Sequence, residues 1–394
     1  NTFCIISNDT NSGNNFLTTY GFNPHGKAGG GGPVDSNGDD NIAIVTSASG
    51  ITYTDPSTWT VIDLYGVPGT DGSGQDHEFE DGRAERKASS TTPSSTWDFS
   101  EWNIDNDGGD GDGAQNAPDG YDPGYWIGAT TIDTWNGLSS NSWATGSNWA
   151  SGSTPASGDK IFIRDSGTDP VISTTGNQIT NITVESSASL SIEKGKNLTI
   201  SADFTNSGTV TLNSDSNEFA SLIVQGTSSG NITYKRFVSD EGTDEWDLIG
   251  SPVVGQTISN FVSANSSSLA TSGSNYSIGV FSNDGSTDTE SAMYTYVTSS
   301  TAGNLTDGIG YAMATDETDS PGTTLDFTGT VNTVNVTVAI DDETTTLTNY
   351  GKWNLIANPY PSFINANSAT SGTDFMTTNV SNLHTSYAYI YGYD

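Results

Sequence analysis

Clustered carboxylates are the first chemistry this sequence offers. From residue 105 the chain runs Asp105-Asn-Asp-Gly-Gly-Asp-Gly-Asp112, and further acids follow at Asp119 and Asp122. Calcium is held by roughly six to eight oxygen ligands, and aspartates at alternate positions of a glycine-rich loop supply them. Asp105, Asp107, Asp110 and Asp112 are therefore candidate calcium ligands. The EF-hand order is not met, because residue 109 is glycine and no glutamate closes a twelve-residue loop. A solvated acidic turn is the competing reading. The run from Asp35 to Asp40 raises the same question more weakly, and an inter-strand turn accounts for it.

Catalytic patterns are present only in fragments. His77 stands beside Glu78 and near Glu80 and Asp81, but no second histidine follows at the helical spacing of a zinc hydrolase. Gly226-Thr-Ser-Ser-Gly230 fits the nucleophile-elbow spacing, which also requires a strand-to-helix turn and a partner histidine. His25, His77 and His384 are scattered, and in a chain with 45 glycines such a match follows from composition. The glycine-rich stretch after Gly26-Lys27 lacks the hydroxyl residue that follows the lysine of a phosphate loop. No helix or barrel pattern frames a carboxylate pair for glycoside hydrolysis. The expectation is a chain without enzyme activity. Trp135, Trp143 and Trp149 read as core or inter-domain plugs, with a sugar-stacking platform as the alternative.

The elements that would position these residues are short strands. Of the 394 residues 32% are hydrophobic and only 15% charged, yet 10% are aromatic, which a disordered chain of this polarity would lack. Val, Ile and Thr fall in short runs separated by Gly, Asn, Asp and Ser, the pattern of strands and turns. No amphipathic helix of twelve or more residues is evident. Length alone predicts two to four domains.

Charge removes several functions. The formal charge is −36, with 11 Lys and Arg in all. Nucleic-acid binding needs clustered Lys and Arg, and this field repels DNA, RNA and anionic lipid. Cys4 is the single cysteine, so no internal disulfide forms, and it reads as a small buried hydrophobe. No apolar run approaches the ~20 residues of a membrane span. No signal peptide is visible, and both ends look like cuts through a longer, exported precursor.

Three units are expected, at 1–128, 129–235 and 236–394. In the first, Asn37 to Val45, Val61 to Val67, Glu78 to Arg86 and Trp102 to Asp107 occur in the order of a lamin-tail domain. The region resembles that immunoglobulin-like β-sandwich, in the form carried by secreted Bacteroidota proteins. The resemblance implies that the opening strands are missing, that the His77 segment is structural, and that Arg83 or Arg86 pairs carboxylates. In the second unit, Trp135-Asn-Gly, Trp143, Asn148-Trp149, Pro155 and Asp159-Lys-Ile-Phe-Ile163 resemble the opening of β-solenoid-like segments in Bacteroidota surface proteins. Short strands follow at Ile179 to Val184, Leu190 to Ile192, Leu198 to Ile200, Val210 to Leu212, Leu222 to Val224 and Ile232 to Tyr234. They fit a small parallel β-helix, or a sandwich given their uneven spacing.

The third unit contains an echo. Glu245-Trp-Asp-Leu-Ile-Gly-Ser-Pro252 returns 107 residues later as Lys352-Trp-Asn-Leu-Ile-Ala-Asn-Pro359. Each copy reads as an apolar strand ended by proline. The pair resembles motifs of jelly-roll-like domains that precede a type IX secretion sorting domain. The fold class expected is thus all-β, as tandem domains. The function these resemblances imply is a non-catalytic structural or adhesive segment of an extracellular bacterial surface protein, acting as a stalk or as the body of a surface fibre. Its partners would be neighbouring copies, other surface proteins or glycans, with no nucleic acid and no direct membrane insertion. The alternative is an accessory carbohydrate- or surface-binding region of a larger secreted hydrolase or nuclease.

Overall fold

The computed structural model describes residues 4–10, 12–20, 23–29, 34, 36–48, 56–80, 82–87, 89–105, 132–243, 246–283, 289–341, 351–368, 372–384, 386 and 389–390. Strand outweighs helix, 35% to 11%, so the protein is mostly β. The chain divides into two units. One comprises Asn1–Ser140, Thr145–Thr154 and Asp165–Thr168, and the other Asn141–Ala144, Pro155–Arg164 and Asp169–Asp394.

In the first unit the strand Ile6–Ser7 lies parallel to Gly26–Lys27. Ile42–Thr46 pairs antiparallel with Thr60–Tyr65, and Arg83–Arg86 with Trp102–Asp105. Cys4 falls outside this pairing and is exposed, which corrects the expectation of a buried thiol. The strand beyond it is only two residues long, and His25 lies close by, its Nδ1 accepting from the Ile5 N–H at 3.0 Å.

The second unit opens into a solenoid of parallel rungs. Lys160–Ile163, Asn181–Val184, Phe204–Asn206 and Ser228–Ser229 stack in one sheet. Val171–Ile172, Ser189–Ile192, Thr209–Leu212 and Ile232–Ser239 form a second. Asn177–Ile179, Asn197–Ile200 and Ser221–Val224 form the third. The cause is a period-two pattern in strands of four residues. In Asn-Ile-Thr-Val, Ser-Leu-Ser-Ile, Asn-Leu-Thr-Ile and Thr-Val-Thr-Leu the second and fourth side chains are buried. Parallel register then stacks like on like, with Ile161 against Ile182, Leu190 against Val210 and Ile200 against Val224. Each such side chain contributes about 1.5–3 kcal/mol when fully buried.

Short polar side chains close the corners and explain their abundance. Asn177 Nδ2 donates to the Asn197 carbonyl at 3.1 Å, and Asn206 Nδ2 to the Asn231 carbonyl. Asp203 accepts from both the N–H and the hydroxyl of Thr227. Each bond ties one rung to the next and satisfies a main-chain or carboxylate group that a corner would otherwise strand. The stretch expected as one strand, Ile179 to Val184, is two strands meeting at a corner, because the N–H of Thr180 turns away to the Asp159 carbonyl.

Ile232–Ser239 belongs to two systems. It ends the second solenoid sheet and pairs along its whole length, antiparallel, with Gly322–Gly329. The helix Ile258–Asn265, capped by the Thr257 hydroxyl accepting from Asn260 N–H, packs on that second strand. Phe261 meets Phe327 with ring centroids 4.6 Å apart, and Asn265 Oδ1 accepts from the Asp326 N–H at 2.7 Å. A separate antiparallel sheet runs Asp247–Gly250, Gly310–Met313, Asn275–Phe281, with Thr271–Ser272 and Tyr294–Thr298 also paired to Asn275–Phe281. Its inner face carries Ile249, Ile278, Val297 and Met313, all buried. The second copy of the echoed motif is not a full strand. It touches this sheet through one bridge, Ile309 to Ile356, and through Gly310 N–H to the Leu355 carbonyl at 3.0 Å.

Candidate functional site

The candidate sites of this protein are aromatic. The tightest cluster, in the first unit, centres on Tyr65, whose ring meets Phe79, Trp97 and Trp102 edge-on at centroid distances of 5.4, 4.9 and 4.9 Å. The Tyr65 hydroxyl donates to the His77 carbonyl at 2.8 Å, and burial raises its pKa above the ordinary tyrosine value. His77 is 1% exposed, its ring edge-on to Trp97 at 5.9 Å, and its Nε2 has no hydrogen-bond partner.

Arg86 locks this cluster. Its guanidinium bonds Asp63 and Glu101, each at 2.5 Å, and lies 4.5 Å from the Trp102 ring centroid. Arg86 therefore takes the carboxylate-pairing part expected for Arg83 or Arg86, while Arg83 approaches Glu85 at 3.8 Å. Glu78 turns away from His77 and accepts from the Gly74 N–H at 3.0 Å. The His77 segment thus brings together rings and not a ligand set. Asp81 and Asp35 lie outside the described residues.

The tryptophans at 135, 143 and 149 are interior, with exposures of 0%, 1% and 1%. Trp135 and Trp149 meet edge to face at 5.0 Å, and the Trp135 indole N–H donates to the Thr168 carbonyl at 2.6 Å. Their neighbour Asn148 is fully buried and accepts from the N–H groups of Ser139 and Ser140 at 2.8 and 2.9 Å. Trp143 sits where the first rung begins, its N–H donating to the Val171 carbonyl at 3.1 Å. A ring with no exposed face cannot stack on a sugar, so the core reading of these three holds.

Asp107, Asp110 and Asp112 lie outside the described residues, and Asp105 ends the strand paired at Arg83. Among the described residues no three His, Cys, Asp or Glu side chains group to hold a metal. Gly226–Gly230 is a solenoid corner leading into the strand Ser228–Ser229, with no helix behind it. Lys27 is tied to the Gly13 carbonyl and the Asn14 side chain. No described helix is long and apolar enough to cross a membrane, which says nothing about a β-barrel.

Sequence reasoning missed an aromatic group on the outer face of the antiparallel sheet. Trp246 meets Tyr296 at 5.7 Å, and Phe281 meets Tyr294 at 5.5 Å, both edge to face. Tyr296 and Leu248 are each 40% exposed. The available signal was the alternation Tyr294-Thr-Tyr296 on a strand that carries no charge.

Strand-dominated architecture, a β-solenoid, a buried tryptophan cluster and an antiparallel sheet define the class of this protein. Residues 134–392 match a family described as a domain of unknown function, DUF8693, and the chain belongs to that family. No curated protein and no solved structure matches it.

Proposed function

We propose that this chain is a non-catalytic structural and adhesive segment of a large secreted bacterial surface protein, of the Bacteroidota kind that type IX secretion exports. The observation that carries the reading is the solenoid. Its rungs bury apolar side chains and are tied at the corners by short polar ones, which supports reading it as a stiff spacer. The acidic balance, −36, suits a solvated exterior, and the single cysteine means that stability comes from sheet pairing and not from disulfides.

The finer architecture of this proposal follows the resemblances. Residues 1–128 are a lamin-tail-like immunoglobulin-like sandwich, and 236–394 a jelly-roll-like sandwich. Asp105, Asp107, Asp110 and Asp112 form a calcium loop on the first of these. The partners are neighbouring copies, other surface proteins or glycans. Protease treatment of intact source cells tests the localisation. Release of peptides from this chain while cytoplasmic markers stay intact is expected, and protection of the chain until lysis overturns it. The accessory-region alternative is favoured by the exposed Tyr296 and the half-buried rings around it, since an aromatic face is what a carbohydrate-binding accessory domain presents.

A further inference from the structure

We propose that the outer face of the antiparallel sheet binds a neutral polysaccharide chain, by stacking sugar rings on Tyr296 and Tyr294 beside Trp246 and Phe281. The inference goes beyond the structural reading and does not depend on it.

The sheet register builds the platform. Leu248 pairs with Ala312, Ala312 with Gly279, and Gly279 with Tyr296, so one row crosses four strands. The two middle members of that row are the smallest residues available, and the ends are large. A Cβ added at Gly279 would lie 3.0 Å from Tyr294 Cδ1 and 3.4 Å from Tyr296 Cε1. Both tyrosine side chains therefore reach over the glycine, each bringing a ring atom against the space that a side chain there would fill. Trp246 and Phe281 stand against the two tyrosines at 63° and 65° and fix them in that attitude.

Ligand class follows from shape and charge. A ring face is the negative pole of the aromatic quadrupole, and the C–H face of a pyranose is its complement. Tyr294 and Tyr296 are two residues apart on one strand and so share one face of the sheet, where their rings converge over Gly279 into one aromatic strip. The row and its flanking rings carry no charged side chain, and a chain of net charge −36 repels polyanions. A stable protein partner would use roughly 20–30 residues a side, far more than this strip offers. A narrow, neutral, repeating ligand fits.

The test is affinity electrophoresis of the full chain through gels holding a mixed-linkage β-glucan, xylan, galactomannan, starch or, as the polyanion, alginate. The expected result is retardation by at least one neutral polymer and none by alginate. Tyr296→Ala and Trp246→Ala should each weaken that binding about tenfold or more, and Tyr296→Phe, which keeps the ring, should hold it within about threefold. Thermal midpoints of all variants establish that each is folded. Retardation by no neutral polymer, or by alginate alone, overturns the proposal. So does equal retardation of wild type and folded Tyr296→Ala.

Discussion

Gly250 and Ala357 hold the same place in the two copies of the echoed motif, and they meet in the fold. A Cβ built on Gly250 would run into the Ala357 methyl and lie 2.9 Å from the Ile309 carbonyl oxygen. Leu355 stands in the same way over Gly310, the residue paired with Gly250. The first copy lies in the sheet as a strand and the second folds over its end. One copy has the glycine and the other the methyl, so the difference between Leu-Ile-Gly and Leu-Ile-Ala is what lets them close.

Gly250→Ala should therefore destabilise the protein by about 1–3 kcal/mol through overpacking. Ala357→Gly added to it should restore part of the loss, although Ala357→Gly alone is itself unfavourable. Thermal melts of the four-member cycle check this, since only direct contact yields a coupling that the single changes do not add up to.

Solenoid positions should separate by face. Ile182→Ala and Leu190→Ala empty sites that are 1% exposed and should cost about 2–5 kcal/mol each. Thr183→Ala, between them in sequence and directed outward, should stay within about 0.5 kcal/mol. Urea unfolding at fixed pH reads the difference.

Asn148→Ala should be costly for a polar substitution. It removes the acceptor that the fully buried Asn148 side chain offers to the N–H groups of Ser139 and Ser140, and each such half-buried bond is worth about 0.5–1.5 kcal/mol. Amide exchange at Ser139 and Ser140 should accelerate in this variant before exchange in the solenoid strands does.

Acid should release one rung tie in a defined window. The Lys194 ammonium, with the N–H groups of Asn217 and Glu218, holds the Asp215 carboxyl down at about 2, against an ordinary value of 3.8. A depressed carboxyl stabilises the fold above its unfolded value and loses that contribution as pH falls from about 4 through 2. Asp215→Asn should therefore lower the thermal midpoint at neutral pH, with the gap to wild type closing below that window. The pair is exposed, so salt should shrink the gap as well.

Much of the solenoid was legible because its signal is local. Four-residue alternation in Ser-Leu-Ser-Ile or Thr-Val-Thr-Leu needs no partner to be read. The corners were harder. Between Ile179 and Ile182 the apolar spacing slips from two to three, which is the mark of the turn at Thr180, but inside one hydrophobic run it reads as continuity. Rung lengths vary, 21 residues from Lys160 to Asn181 and 24 from Phe204 to Ser228, which hid the repeat. The helix Ile258–Asn265 shows Ile258, Phe261, Val262 and Asn265 on one face, yet it is too short to stand out. Of the aromatic face only the alternation Tyr294-Thr-Tyr296 was legible. Trp246, Phe281 and Tyr296 converge only through strand register, which no single segment encodes.

Immunogold electron microscopy of intact source cells, paired with the mass of the native chain that carries this segment, tests the central proposal most directly. The account predicts label on the outer surface, along stalks or ordered fibres of which this segment is the body. Label confined to the cell interior would contradict it. So would monomeric secreted particles whose native chain joins this segment to a separate catalytic domain, which would make it an enzyme's accessory region.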